Sequence, residues 1–201
     1  MLIVLEGLDG SGKSTQICLL SQRMTDMGLP HLTTREPSDA LIGTLARAAV
    51  HDSQVDMENE TLALLFAADR YQHIMQEILP AQNRGEVVLC DRYYYSNLVY
   101  QGNNPEGLQR LMAYNQVAMS AHRPDITFFL DVEPEECLRR INARSNQVSK
   151  YENLPSLRQT RQQFLSIFES LSDNCVIIDC SNADKNEVFN KIWQHIYHLS
   201  F

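Results

Sequence analysis

The sequence predicts an α/β fold, a doubly wound, five-stranded parallel sheet with helices on both faces, and three observations carry that reading. Short β-rich apolar runs alternate with segments of helical spacing, a glycine-rich loop links the first run to the first helix, and polar side chains follow every run. The runs are Leu2 to Leu5, Leu32 to Thr34, Val87 to Cys90, Ile126 to Leu130 and Val176 to Ile178. Between them lie Lys13 to Met27, stopped by Gly28 and Pro30, and Glu58 to Leu79, stopped by Pro80. Pro105 to Ala121, Glu135 to Asn142 and Leu157 to Leu171 follow, and Lys185 to Leu199 carries Val188, Ile192, Ile196 and Leu199 on one helical face. Strand, helix, strand in this rhythm requires crossovers, and so a parallel sheet covered on both faces.

Composition narrows the class. With 201 residues, 44% hydrophobic and 21% charged, the chain can bury one sizeable core without dividing. No apolar run approaches a membrane span, and the first strand begins too early to leave room for a leader, so a cytoplasmic protein is expected. The five cysteines have no C-x-x-C spacing and read as reduced thiols. A formal net charge of −8 argues against a nucleic-acid surface, because binding a phosphate backbone needs a basic face. Cations that meet phosphates must be local and few.

Gly7-Leu8-Asp9-Gly10-Ser11-Gly12-Lys13-Ser14 is a complete G-x-x-x-x-G-K-S loop, directly after a predicted strand and before a predicted helix. In that setting backbone N–H groups and the positive end of the helix cradle phosphates, Lys13 reaches the β- and γ-phosphates, and the Ser14 hydroxyl ligates Mg²⁺. A bound nucleoside triphosphate is the consequence. The other strands also end on polar groups: Arg35-Glu36-Pro37 after the second, Asp91-Arg92-Tyr93 after the third, Asp131 after the fourth and Asp179 after the fifth. Open α/β sheets bind ligands at their carboxyl edge, so these residues are expected to face one crevice.

These motifs, in this order, resemble those of the thymidylate kinases. The resemblance covers nearly the whole chain: Glu6 to Thr15, Thr34-Arg35-Glu36-Pro37, Leu64 to Arg70, Asp91-Arg92-Tyr93 with Ser96-Asn97 and Tyr100-Gln101-Gly102, and Leu130-Asp131-Val132 with Pro134-Glu135. It implies a P-loop kinase fold over 1–201, transfer of the γ-phosphate of ATP to dTMP for dTTP synthesis, Mg²⁺ as cofactor, and a homodimer. It also implies that Phe66 stacks on thymine, that Arg70 reads the base edge, and that Asn97, Tyr100 and Gln101 lie along base and sugar. Asp9 resembles the carboxylate that approaches the deoxyribose 3′-hydroxyl, and Ala183, in Asn182-Ala183-Asp184-Lys185, lies in a segment like the family's adenine-contacting loop. Phe66 and Arg70, four apart on a helix, share a face. Arg92 and Arg35 carry guanidinium forks suited to the acceptor's own phosphate. Asp91 is expected near the Mg²⁺.

Two rival readings remain open at this point. A deoxynucleoside kinase would need a carboxylate base, and Glu36 could serve; a nucleotide sensor would bind ATP without turnover. An N-K-x-D guanine motif is missing from the sequence, which disfavours a GTP switch. The polar stretch Ser145 to Asn153 is expected to form a short mobile lid, about residues 143–153. The variable loop positions Leu8, Asp9, Gly10 and Ser11 carry no positive charge, so the catalytic cation is expected from Arg139, Arg140, Arg144 or Lys150 around that lid, with Arg144 preferred.

Overall fold

The computed structural model describes residues 1–51, 55, 57–102, 104–144 and 153–200. Five strands, β1 (Leu2–Gly7), β2 (His31–Arg35), β3 (Val87–Asp91), β4 (Ile126–Asp131) and β5 (Cys175–Asp179), pair in parallel in the order β2-β3-β1-β4-β5. All six β1 residues are buried, as a central strand covered on both faces requires. Its alternate side chains enter different cores: Leu2 and Val4 join Val88, Cys90 and Phe129 on one face, while Ile3 and Leu5 join Leu89, Phe128 and Leu130 on the other. The crossovers leaving β1 and β3 run in opposite directions. They open a crevice at the carboxyl ends of those two strands.

Helices α1 (Lys13–Asp26), α7 (Pro134–Arg144) and α9 (Lys185–Ser200) cover the face of Ile3 and Leu5. The opposite face is covered by α3 (Asn59–His73), α4 (Leu79–Asn83), α5 (Tyr94–Gln101), α6 (Pro105–Ala121) and α8 (Leu154–Ser170), and α2 (Leu41–His51) packs on α3. Phe164 of α8 anchors that side, its ring stacked on Phe168 at 5.9 Å and tilted against Phe129 at 5.1 Å.

The helix expected to stop before Pro80 instead passes through it. A π-helical segment, Ile74–Ile78, bonds the Leu79 N–H to the Ile74 carbonyl, so the chain restarts with Pro80 in a helix-opening position and runs on to Asn83. Helix α2 was passed over in the sequence although Leu41, Ile42, Leu45 and Val50 make it apolar; its buried contacts are the small Gly43 and Ala46, and Leu41 and Leu45 are exposed. Asn97 and Tyr100 lie in the middle and last turn of the short α5, separate from the longer α6. The segment 145–152, most of the expected lid, lies outside the described residues.

Gly43 is where α2 meets the rest of the fold. A Cβ there would stand 2.2 Å from the Ser38 carbonyl oxygen and 2.7 Å from Asp69 Oδ1. Asp69 is itself fixed by the Ser38 backbone N–H at 2.8 Å and the Ser38 hydroxyl at 2.5 Å. Gly43→Ala is expected to destabilise the protein by about 1–3 kcal/mol through overpacking. Urea unfolding would measure it, and unchanged stability would mean that α2 is not seated against Ser38.

Candidate active site

The loop between β1 and α1 depends on glycines for its shape. Gly10 has φ 81° and Gly12 φ 101°, backbone that side chains disfavour. A Cβ on Gly10 would also fall 2.6 Å from the Cys137 carbonyl oxygen, so α7 rests directly on the loop. Gly12 caps α1 without a side chain, which leaves the first-turn N–H groups facing the crevice. Lys13 Nζ donates to the carbonyls of Gly7 at 3.0 Å and Leu8 at 2.9 Å. Burial, reinforced by Arg92, lowers the Lys13 pKa from 10.5, against the opposing pull of Asp91, Asp9 and Glu6. The Leu8 side chain turns away into the core.

The Ser14 hydroxyl donates to Asp91 Oδ2 at 3.0 Å, while Asp91 Oδ1 is buried without a hydrogen-bond partner. A hydroxyl beside an under-satisfied carboxylate is the oxygen donor set that Mg²⁺ prefers. Among the described residues there is no cluster of three or more His, Cys, Asp or Glu side chains that could hold a metal. A cation here would complete its shell with phosphate and water oxygens. Ser14 and Asp91 therefore fit the expected Mg²⁺.

The turn after β3 places a guanidinium opposite the loop. Arg92 adopts φ 70°, a strained value for a bulky residue, and its N–H bonds the Leu5 carbonyl at 2.9 Å. Its side chain donates to Asp9 Oδ1 at 2.5 Å, to the Ser96 hydroxyl at 2.9 Å and to the Gly7 carbonyl at 3.4 Å, and it lies over the Tyr100 ring at 5.4 Å. Glu6 fixes this turn from below. Its fully buried carboxylate accepts from the backbone N–H groups of Tyr93 at 2.8 Å and Ser96 at 3.3 Å and from the Ser96 hydroxyl at 2.7 Å. Those N–H groups belong to the start of α5, which has no cap of its own, so β1 caps the helix. Burial raises the Glu6 pKa from 4.5 even though Arg92, Ser96, Tyr93 and Lys13 favour the charged form.

At the far end, Phe66 and Arg70 share one face of α3, as their spacing requires, and both line the crevice. Arg70 is 2% exposed. Its Nε donates to Glu36 Oε2 at 2.7 Å, its Nη1 to Asn115, and its guanidinium lies over the Tyr93 ring at 5.5 Å. Asn115 donates in turn to Asn97 at 2.9 Å, and Asn97 to Gln101 at 3.1 Å. These residues form one buried amide and guanidinium network. The Tyr100 ring meets Phe164 edge-on at 6.3 Å, which ties this wall to the core.

One cleft of about 770 Å³ joins both ends. It gathers Asp9 to Thr15, Asp91, Arg92 and Arg140 in the middle, Arg35, Glu36, Phe66, Arg70, Asn97, Tyr100 and Gln101 at one end, and Ala183 at the other. Gly7 and Leu8 lie beneath it, supplying carbonyls to Lys13. Arg140 bonds Glu136 at 2.7 Å and the Gly10 carbonyl at 3.3 Å, which fixes it beside the phosphate loop. Arg35 is pinned by Asp39 at 2.7 Å. The Arg144 side chain and Lys150 lie outside the described residues. Although the whole chain is acidic, Lys13, Arg35, Arg47, Arg92, Arg140 and Lys185 all line this one cleft. The anion-facing charge is local, as the composition demands.

Sequence reasoning passed over several neighbours. Arg47 reaches the cleft from α2 and is held by the Pro37 carbonyl at 2.7 Å and Asp39 at 3.0 Å. Gln16 donates to the Lys185 carbonyl at 2.9 Å, joining α1 to the Ala183 end. Glu6 and Asn115 act through contacts 90 and 45 residues away in sequence, which no local pattern reveals.

Comparison with known proteins agrees with this geometry. The family model described as thymidylate kinase matches residues 5–192. A probable thymidylate kinase of Pyrococcus abyssi is 41% identical over 180 residues, covering 87% of this chain and 86% of that protein. A thymidylate kinase of Ligilactobacillus salivarius is 38% identical over 190 residues, covering 91% of each, and one of Shouchella clausii is 34% identical over 201 residues, covering 98% of this chain and 94% of the relative. With its phosphate loop, its β3 turn and its α3 face converging on one cleft, this chain belongs to the thymidylate kinase family.

Proposed function

We propose that the protein transfers the γ-phosphate of ATP to dTMP, giving dTDP and ADP, in the supply of dTTP. The observation that carries the reading is the single cleft running from the phosphate loop, past Arg92, to the Phe66 and Arg70 face. ATP lies along the loop with its base toward Ala183, and dTMP lies with its base against Phe66 and Arg70 and its sugar against Tyr100. A ring at the sugar selects deoxyribose by bulk. Arg92, with Arg35 and Arg47, holds the acceptor phosphate against the donor.

A phosphate monoester is already ionised near neutral pH, so its oxygen attacks without a general base, and catalysis rests on alignment and charge neutralisation. Glu36 is poorly placed to be the base of a deoxynucleoside kinase. One of its oxygens is taken by Arg70 and the other lies 3.3 Å from His73 Nδ1. Mg²⁺, held by Ser14 and Asp91, supplies further charge neutralisation at the transferring phosphates when bound. The protein's own contribution is to hold Lys13, Arg92 and Arg140 where that charge develops.

The kinase domain spans 1–201, with a lid over about 143–153 that brings Arg144 to the transferring group. The homodimer expected from the family is assigned to the exposed apolar side chains Leu64, Tyr71 and Met75, with exposed Leu45 and Val117 on α2 and α6, the helices that contact α3. None of the described helices is long and apolar enough to cross a membrane. A cytoplasmic location is part of the proposal.

Coupled ADP release with ATP, Mg²⁺ and a panel of dTMP, dUMP, the ribose form of TMP, dCMP and thymidine tests the reading. dTMP is expected to be the best acceptor. dUMP should fall several-fold to about 100-fold in kcat/KM, because the thymine methyl is worth about 0.8 kcal/mol plus packing. Turnover of thymidine with none of dTMP would refute the activity. For the lid, Arg144→Ala is expected to lower kcat by at least ~100-fold with little change in dTMP KM, as for an arginine that meets the phosphoryl group in flight. Lys150→Ala should do less, and an unchanged kcat for Arg144→Ala would rule out the assignment.

A further inference from the structure

Behind the cleft wall, His73 joins carboxylates from two different elements. Its Nδ1 lies 3.3 Å from Glu36 Oε1, and its Nε2 lies 3.0 Å from Glu77 Oε2 and 2.8 Å from the Thr34 hydroxyl. That hydroxyl donates to Glu77 at 3.1 Å, so it presents lone pairs to the ring. Both ring nitrogens therefore face acceptors. A neutral imidazole has one N–H and would aim a lone pair at one of them, whereas an imidazolium donates to both.

What the ring holds is Glu36, whose other oxygen takes the Arg70 Nε at 2.7 Å. Glu36 and Arg70 line the acceptor end of the cleft, and His73 does not. We infer that His73, as an imidazolium, is a positioning residue that fixes Glu36, and through it Arg70, in the orientation that receives the acceptor's base. This inference rests on the proposed use of dTMP.

The surrounding charges favour that form. Glu36 faces the ring from the loop after β2, Asp69 and Arg70 belong to α3, Glu77 to the π segment, and the Cys90 thiol on β3, raised well above its usual pKa by burial, stays neutral. Three carboxylates against one guanidinium leave room for a second cation. Burial pushes the His73 pKa down, but the hydrogen bond and charge of Glu36, with the charges of Glu77 and Asp69, outweigh it and leave the pKa above 6.5. Its effect is thus present at pH below the folded value and is lost as pH rises through it. The second ionisation of a phosphate, near pH 6, is largely over by about pH 7, so changes above that report the ring.

The test is steady-state kinetics from about pH 6.5 to 9.5 on wild type, His73→Gln and Glu77→Gln, with ¹⁵N NMR of the ring. In wild type the dTMP KM is expected to rise on the order of 10-fold as the ring titrates, the loss of one charge-assisted hydrogen bond, while kcat and the ATP KM hold within about 2-fold. His73→Gln should show the high KM at every pH. Glu77→Gln, at a half-exposed position, should move the wild-type profile to lower pH, and it decides the matter alone should His73→Gln fail to fold. The ring should carry both protons at the acid end of the range and lose one in step with the rise in KM. A flat wild-type profile, a wild-type profile in His73→Gln, or a fall in kcat with KM unchanged would overturn the inference. Wild-type protein that never phosphorylates dTMP would overturn the proposed activity instead, an outcome distinct from intact turnover with a flat profile.

Discussion

The buried carboxylate of Glu6 is the constraint on which the site depends. It sits on the central strand just before the phosphate loop, yet its hydrogen bonds go to the turn after β3, at Tyr93 and Ser96. One side chain thereby sets the phosphate loop against Arg92 across the cleft. Its desolvation is costly, and its three donors with nearby Arg92 and Lys13 offset only part of that cost. A buried charge in such a place fixes one arrangement more than it adds stability. The strained backbone of Arg92 persists because Leu5, Glu6 and Ser96 determine the turn from three directions.

The same logic runs outward in layers. Arg92 meets Tyr100, Tyr100 meets Phe164, and Phe164 packs with Phe129 and Phe168, so this wall of the cleft is continuous with the hydrophobic core. On the other side, α7 rests on Gly10 through the Cys137 carbonyl and carries Arg140 to the loop. Rigid elements thus hold the groups that must not move.

What the sequence revealed, and what it concealed, follows from the range of the interactions. The strands were legible because a parallel sheet covered on both faces writes itself as continuous apolar runs, and the phosphate loop because its glycines must fall at fixed positions. Phe66 and Arg70 could be paired from helical spacing alone. Helix α2, apolar as its sequence is, was passed over, and Arg47 was lost with it; its seat on Gly43 and Ala46 is visible only in the fold. Pro80 pointed to a helix end, and a π segment carried the chain past it. For Glu6 and His73 no local pattern tells what they hold. Only the folded chain brings the first to Ser96 and the second to Glu36.

The most direct measurement of the claim that Glu6 registers donor against acceptor is the kinetics of Glu6→Gln. An amide in place of Oε2 turns a donor toward the Ser96 hydroxyl, which then has no acceptor for its proton and holds Arg92 less firmly. The expected result is a fall in kcat/KM for dTMP on the order of 10- to 100-fold, the range for one hydrogen bond to a charged group, with ATP affinity within a few-fold of wild type. An unchanged kcat/KM for dTMP, or an equal loss of ATP affinity, would contradict it.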